Sequence, residues 1–263
     1  MSERSYTESE YEEAVEYIRK RLENETSAKN DVITLLLAYA EALLILLYRE
    51  SPSEDINALV EELADQLIDD AYILGVDEHD DKRTEIMLWM NSERGGDTME
   101  GRIRSRVGTF LTELGALYYA ANLLGLSMNV VIDSIGDNLK NPWDNPIIKE
   151  AKEKIDSGEL AGDKGRLEEP HFGKGVEISS MGALQKIISY HVADAFMWYG
   201  YQEAVENGAI GYFVVRGSSY PCDTCQSEAD AGFHTIDDNH HIAPLHMNCV
   251  CSIVYVYEKG LEV

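Results

Sequence analysis

All four cysteines of the chain lie in one stretch near its C-terminus, in two closely spaced pairs. Cys222 and Cys225 form a Cys-x-x-Cys pair, and after twenty further residues His246, Cys249 and Cys251 form His-x-x-Cys-x-Cys. A Cys-x-x-Cys pair lets one short turn present two thiolates to a single ion, and a second short turn supplies the other ligands. The spacing therefore predicts a closed tetrahedral zinc site, with five candidate ligands for four positions.

Two other roles for the cysteines compete with metal binding. They could form two disulfides in an exported protein, or they could be inert buried thiols. The first eight residues are polar and acidic, so we expect no signal peptide and no oxidising compartment. Inert thiols would not be expected to fall into two short-spaced pairs, and metal binding is therefore the favoured interpretation.

The segments around the cysteines resemble the C-terminal module of the phage Mu F-protein-like family, the minor head or head-morphogenesis proteins of tailed phages. The family pattern is a strand, a Cys-x-x-Cys turn, an Asp-Gly step before an aromatic residue, and a closing Pro-Pro-x-His-Pro-x-Cys-Arg-Cys. The corresponding segments here are Gly211–Arg216, Cys222–Cys225, Asp230–Phe233 and Ala243–Cys251. The sequence departs from the pattern at four positions, Ala231, Ala243, Met247 and Val250. The resemblance covers about residues 176–257.

The resemblance implies a structural protein of the virion that contacts the portal or capsid protein during head assembly in the host cytoplasm. Some family members carry a toxin or other effector domain after the metal module. Only twelve residues follow Cys251, so we expect no such domain here. The alternative is a small metal-dependent effector of the polymorphic-toxin type, with chemistry at His191, Asp194 or the His240–His241 pair.

The residue pattern predicts no catalytic apparatus. Pro221, Cys222 and Cys225 match half of the zinc deaminase signature, but the His-x-Glu half does not occur in the sequence. Cys249 and Cys251 would also fill the position that a catalytic zinc keeps open for water. The sequence contains no P-loop and no Gly-x-Ser-x-Gly elbow. We therefore expect a structural metal site and no enzyme activity.

The chain is strongly acidic, with a formal net charge of −26 over 263 residues. Residues 1–170 hold 37 acidic and 18 basic residues, and residues 171–263 hold 11 and 4. Phosphate binding needs clustered Lys and Arg, so we expect no nucleic-acid partner. The one dense basic spot, at Arg102, Arg104 and Arg106, is expected to pair with acidic helices. A solvated surface explains most of the charge, although a basic protein partner also fits it.

The sequence as a whole predicts a mainly α fold with two domains. Apolar residues recur at helical spacing over about residues 7–25, 32–48, 56–74, 98–124 and 181–207. Two β-rich runs, Gly211–Arg216 and Ser252–Tyr257, bracket the metal loop and predict a small sheet. A polar connector, Gly158–Gly175, separates an acidic helical domain, residues 1–170, from an α+β zinc-stabilised module, residues 171–263. Residues 126–170 are expected to be less regular, with a turn-rich break at Asn141–Pro146 and a short helix before Gly158.

Val32–Tyr48 is the one stretch apolar enough to be considered as a membrane span. It is short for that purpose, and Glu41 would lie at its middle, where a carboxylate is costly. We therefore predict a buried helix of a bundle, ended by Ser51–Ser53, and no membrane contact.

Overall fold

A computed structural model describes residues 30, 32–76, 80–94, 96–138, 142–169, 179–217, 221–247 and 249–257. Within these ranges the chain has eight α-helices and one three-stranded antiparallel sheet near the C-terminal end. The predicted mainly α fold class is confirmed. The helix predicted over residues 7–25 lies outside the described residues.

Along the described chain, seven helices precede the first strand, and the eighth helix lies between the first and second strands. The helices are α1 (32–48), α2 (Ser53–Val76), α3 (Arg83–Met90), α4 (Met99–Leu124), α5 (Met128–Asn138), α6 (Pro146–Asp156), α7 (Ser180–Glu206) and α8 (Asp223–Ala231). The strands are β1 (Ala209–Val215), β2 (Phe233–Thr235) and β3 (Ser252–Tyr257). A short 3-10 turn, Asn239–His241, lies between β2 and β3.

The described chain divides into two compact units, neither of which is continuous in sequence. One unit comprises the described parts of 30–69 and 100–185, and the other comprises those of 70–99 and 186–257. We refer to them as the helical unit and the sheet unit. The predicted domain boundary near residue 170 remains a prediction.

Helix α1 of the helical unit buries one face. Val32, Leu36, Ala40 and Leu43 recur every three or four residues and are buried, as an amphipathic helix requires. The predicted break at Ser51–Ser53 is confirmed, because α1 ends at residue 48 and α2 begins at Ser53. Among the described helices, none is long and apolar enough to cross a membrane.

One arginine of the basic spot at the start of α4, Arg104, pairs with acidic residues of α2, which confirms the predicted pairing for that residue. The two Nη atoms of Arg104 lie 2.7 Å from an oxygen of Glu61 and 2.6 Å from an oxygen of Asp65. All three side chains are largely exposed, so each pair contributes only a few tenths of a kcal/mol, about 0.2–1.

The helical unit also contains a buried carboxyl group, on Glu113 of α4. Its side chain accepts hydrogen bonds from the backbone N–H of Ser180, at 2.9 Å, and from the Ser180 hydroxyl, at the first turn of α7. Glu113 is only 4% exposed. Burial raises the pKa of Glu113 to about 7, although the hydrogen bonds from Ser180 act in the opposite direction.

Two eleven-residue helices, α5 and α6, form in the region expected to be less regular. Helix α6 confirms the short helix predicted before Gly158, whereas α5 was not predicted. The Asn145–Pro146 step is the start of α6 rather than a simple break. The Asn145 side chain accepts a hydrogen bond from Ile147 N at 2.9 Å, and Pro146 occupies the first helical position. Both features are typical of a helix N-terminus.

The sheet of the sheet unit has the strand order β2-β1-β3, with β1 antiparallel to both neighbours. Gly208, with φ of 78°, follows the end of α7 in the left-handed conformation that glycine adopts without strain. Strands β1 and β3 confirm the two predicted runs, and β2 was not predicted. The core behind the sheet contains Met197, Tyr212, Val214, Cys225, Ala243, Cys249, Cys251 and Ile253.

Candidate metal centre

The Cys-x-x-Cys pair lies at the N-terminus of a helix rather than in a simple turn. Cys222 is the N-cap residue of α8 with extended backbone angles (φ −145°, ψ 109°), and Cys225 follows in the first helical turn. Unpaired backbone N–H groups at a helix start stabilise negative charge. The pKa of Cys222 is accordingly lowered, chiefly because the backbone N–H of Cys225 donates a hydrogen bond to the Cys222 sulfur.

His246 directs one ring nitrogen at both cysteines of this pair. Its Nε2 atom lies 3.1 Å from the Sγ atom of Cys222 and 3.1 Å from that of Cys225. Its Nδ1 atom lies 2.8 Å from the backbone oxygen of Met247, an acceptor that requires Nδ1 to carry the proton. The lone pair of a neutral ring therefore resides on Nε2, facing the sulfur atoms, as in histidines that ligate metal ions.

Cys249 and Cys251 complete the cluster on the buried side. The Sγ atoms of Cys225 and Cys249 are 3.8 Å apart, and those of Cys225, Cys249 and Cys251 all lie within 4.8 Å of one another. The donor atoms of Cys222, Cys225 and His246 also lie within 4.8 Å of one another. Cys225 belongs to both groups, so the five predicted ligands meet around its sulfur atom. None of the four cysteines forms a disulfide.

Burial makes the inner thiols poor acids without an ion. Burial raises the pKa of Cys225 to about 11, and hydrogen bonding to Cys249, together with burial, raises the pKa of Cys251 far above its ordinary value. A buried thiolate is costly unless a cation compensates it. Metal binding would therefore displace the protons and supply the missing positive charge. The sulfur and imidazole donors brought together here could hold a metal ion.

The residues named for the alternative effector do not form one exposed site. His191 is only 1% exposed, and Asp194 forms an ion pair of 2.5 Å with Nη1 of Arg94. His240 is exposed, whereas Nδ1 of its neighbour His241 lies 2.6 Å from a carboxylate oxygen of Glu228.

A second cluster of potential ligands was not predicted from the sequence. It consists of Glu228, His234 and His241, whose donor atoms lie within 4.8 Å of one another. No fixed spacing links these three residues, and helix α8, which orients Glu228, was itself not predicted. The sequence signal for the cluster was limited to the histidines between the two cysteine pairs.

Comparison with known proteins assigns no family to the chain. We find no match among protein-family models, curated proteins or solved structures. The function proposed below rests on the side-chain geometry and on the resemblance of the cysteine segments.

Proposed function

We propose that the chain is a structural minor head or head-morphogenesis protein of a tailed phage, with a C-terminal module stabilised by zinc. The observation that carries the proposal is the convergence of Cys222, Cys225, His246, Cys249 and Cys251 around one point of the sheet unit. These residues belong to two of the four segments through which the chain resembles the Mu F-protein-like family.

Zinc suits the distances between the donor atoms. With Zn–S bonds of about 2.3 Å, two sulfur ligands at neighbouring corners of a tetrahedron are about 3.8 Å apart. The Sγ atoms of Cys225 and Cys249 are separated by 3.8 Å. The corresponding separation for sulfur and nitrogen is about 3.5 Å, so binding would move His246 slightly away from Cys222 and Cys225, now at 3.1 Å.

A complete set of protein ligands favours a structural role over a catalytic one. Five candidate donors compete for four positions, whereas catalytic zinc sites usually keep one position open for water or substrate. Cys225, Cys249 and Cys251 are buried, which limits the access of a substrate to that side of the ion. The proposed module would therefore present a fixed surface to a partner rather than carry out a reaction.

The partner that we propose is the portal or capsid protein of the same phage, met in the host cytoplasm and retained in the virion. The first support is the order of the segments, since a strand precedes the Cys-x-x-Cys pair and a His-x-x-Cys-x-Cys segment follows it. The second is that the sequence contains no P-loop, no Gly-x-Ser-x-Gly elbow and no His-x-Glu motif. The third is the negative charge, which suits a partner with a basic protein surface.

The test is the location of the chain in phage particles. Heads and mature virions produced from the genome that encodes the chain should contain it, as measured by quantitative mass spectrometry of purified particles. Deletion of its gene should reduce the yield of complete heads, and Cys225→Ser should reproduce this defect. Particles that assemble normally and never contain the chain would contradict the proposal.

A further inference from the structure

Three side chains converge at a second place in the sheet unit, outside the cysteine cluster. Glu228 comes from α8, His234 from β2, and His241 from the turn before β3. Nδ1 of His241 lies 2.6 Å from Oε2 of Glu228, and Nε2 of His234 lies 4.0 Å from the same oxygen. One donor atom from each of the three residues lies within 4.8 Å of the others.

We propose that Glu228, His234 and His241 form a second metal site, which binds a divalent transition-metal ion such as Zn²⁺, Co²⁺ or Ni²⁺. Two imidazoles and one carboxylate are donors that these ions accept well. Three protein ligands leave at least one coordination position for water. The second site therefore differs in chemistry from the cysteine cluster, which offers soft sulfur donors and no free position.

The environment of His234 is the first argument for this site. His234 is 9% exposed, and its Nε2 atom has no hydrogen-bond partner among the described residues. Its ring stacks between those of Tyr212, with centroids 5.2 Å apart, and His241, with centroids 4.7 Å apart. A buried ring nitrogen normally has a partner. The stacked ring is held in place while its Nε2 atom faces the Glu228 carboxylate, and a metal ion between them would provide that partner.

The surroundings of His241 are the second argument. Its Nε2 atom lies 3.6 Å from Oδ2 of Asp238, on the side of the ring away from Glu228. Histidines that bind metal ions commonly direct their second nitrogen at a carboxylate, which fixes the ring and the tautomer. The side chains of Glu228 and His241 are 20% and 34% exposed, so an ion can enter from solvent and water can complete its coordination.

Without an ion, Nδ1 of His241 and a carboxylate oxygen of Glu228 are in direct hydrogen-bonding contact. Two N or O ligands at neighbouring corners of a tetrahedral zinc site are about 3.3 Å apart, given metal–ligand bonds of about 2.0–2.1 Å. Nδ1 of His241 and Oε2 of Glu228, at 2.6 Å, must therefore separate by several tenths of an ångström when the ion binds. Partial exposure of both side chains permits this movement.

Cobalt can test this proposal in the full chain, because it reports on the two sites differently. Co²⁺ bound by thiolates gives an intense sulfur-to-cobalt charge-transfer absorption, whereas Co²⁺ bound by imidazole and carboxylate does not. We expect metal-free protein in reducing buffer to bind two Co²⁺ ions in equilibrium dialysis. The first should produce the thiolate absorption, and the second should bind without increasing it.

The variants Glu228→Gln and His241→Ala should retain the thiolate absorption and bind the second Co²⁺ at least about tenfold more weakly. The matched control is His240→Ala, which removes the exposed neighbour of His241 and should bind both ions. The thiolate absorption also shows that each variant is folded around the cysteine cluster. A wild-type chain in which every bound Co²⁺ gives the thiolate absorption, or a Glu228→Gln variant with unchanged affinity for the second ion, would overturn the proposal.

Discussion

The sulfur atoms of Cys225 and Cys249 lie 3.8 Å apart although the two residues are 24 positions apart in the sequence. Residues between them form most of α8, strand β2 and the turn Asn239–His241. An ion held by both cysteines would therefore close a long segment that has little apolar core of its own. Closing such a segment removes conformational freedom from the unfolded chain, and the binding energy of the ion adds to folding.

The first prediction concerns metal content. Wild-type protein purified under reducing conditions, and washed with a weak chelator that removes ions from the partly exposed second site, should retain about one zinc ion per chain. Cys225→Ser should lose it, because Cys225 belongs to both groups of donors in the cluster. Elemental mass spectrometry measures the stoichiometry. A wild-type protein without stoichiometric zinc, or a disulfide map that links these cysteines, would refute the zinc assignment.

The second prediction concerns the coupling between metal binding and folding. Cys225→Ser should increase hydrogen exchange over about residues 209–257, since a module without a large apolar core of its own depends on the ion for folding. Helices α1 and α4 of the helical unit should keep their protection. Hydrogen exchange with mass spectrometry can compare the two proteins. Equal protection of β1 and β3 in both would show that the ion is not needed for the sheet.

The sequence predicts those features that have a regular period or a short fixed spacing. Helices α1, α2, α4 and α7 follow long apolar stripes, and the candidate ligands follow two short motifs. Strands β1 and β3 are rich in β-branched and aromatic residues. In each case the local pattern and the tertiary environment favour the same structure.

The features that the sequence did not predict depend on tertiary contacts or on very short segments. Strand β2 has three residues and is defined by its pairing with β1. Helix α8 has nine, mostly polar residues, which gave no apolar stripe. The cluster of Glu228, His234 and His241 draws one residue each from α8, β2 and the turn Asn239–His241. It forms only in the folded chain, so no fixed sequence spacing encodes it.

The third prediction concerns the dependence of stability on pH at Glu113. Its pKa is about 7 in the folded protein, against an ordinary value of 4.5, so the folded state binds the proton more tightly than the unfolded state. Stability contributed by this group should therefore fall as pH rises from about 4.5 to 7 and then remain constant. Above pH 7, the charged Glu113 should lower the free energy of unfolding by at most roughly 3 kcal/mol relative to its value below pH 4.5.

Glu113→Gln should remove this dependence. Glutamine can accept the hydrogen bond from Ser180 N and can donate one to the Ser180 hydroxyl, and it carries no charge. In urea unfolding, the variant should be more stable than wild type at pH 8 and close to wild type near pH 4.5. A difference in stability that does not change between these pH values would contradict the raised pKa.

The fourth prediction concerns Gly211, which lies on β1 opposite Thr235 of β2. A Cβ atom at this position would lie 2.2 Å from the backbone oxygen of His234, so Gly211→Ala should push β2 away and destabilise the protein by about 1–3 kcal/mol. The matched control is Gly108→Ala in α4, where an added Cβ meets nothing within 4 Å. That change should stabilise by roughly 0.5–1 kcal/mol. Thermal unfolding would compare the two, and equal effects would contradict the crowding argument.

The last prediction concerns the acidic surface and the proposed head partner. Residues 1–170 hold 37 acidic and 18 basic residues, and exposed charges attract a basic surface only within a screening length of about 8 Å at physiological ionic strength. Binding to portal or capsid protein should therefore weaken steadily as salt is added, mostly through slower association. A pull-down with each partner across a salt series measures this. Affinity that does not change with salt would show that the charge serves solubility alone, and a failure to bind any head protein would contradict the virion proposal itself.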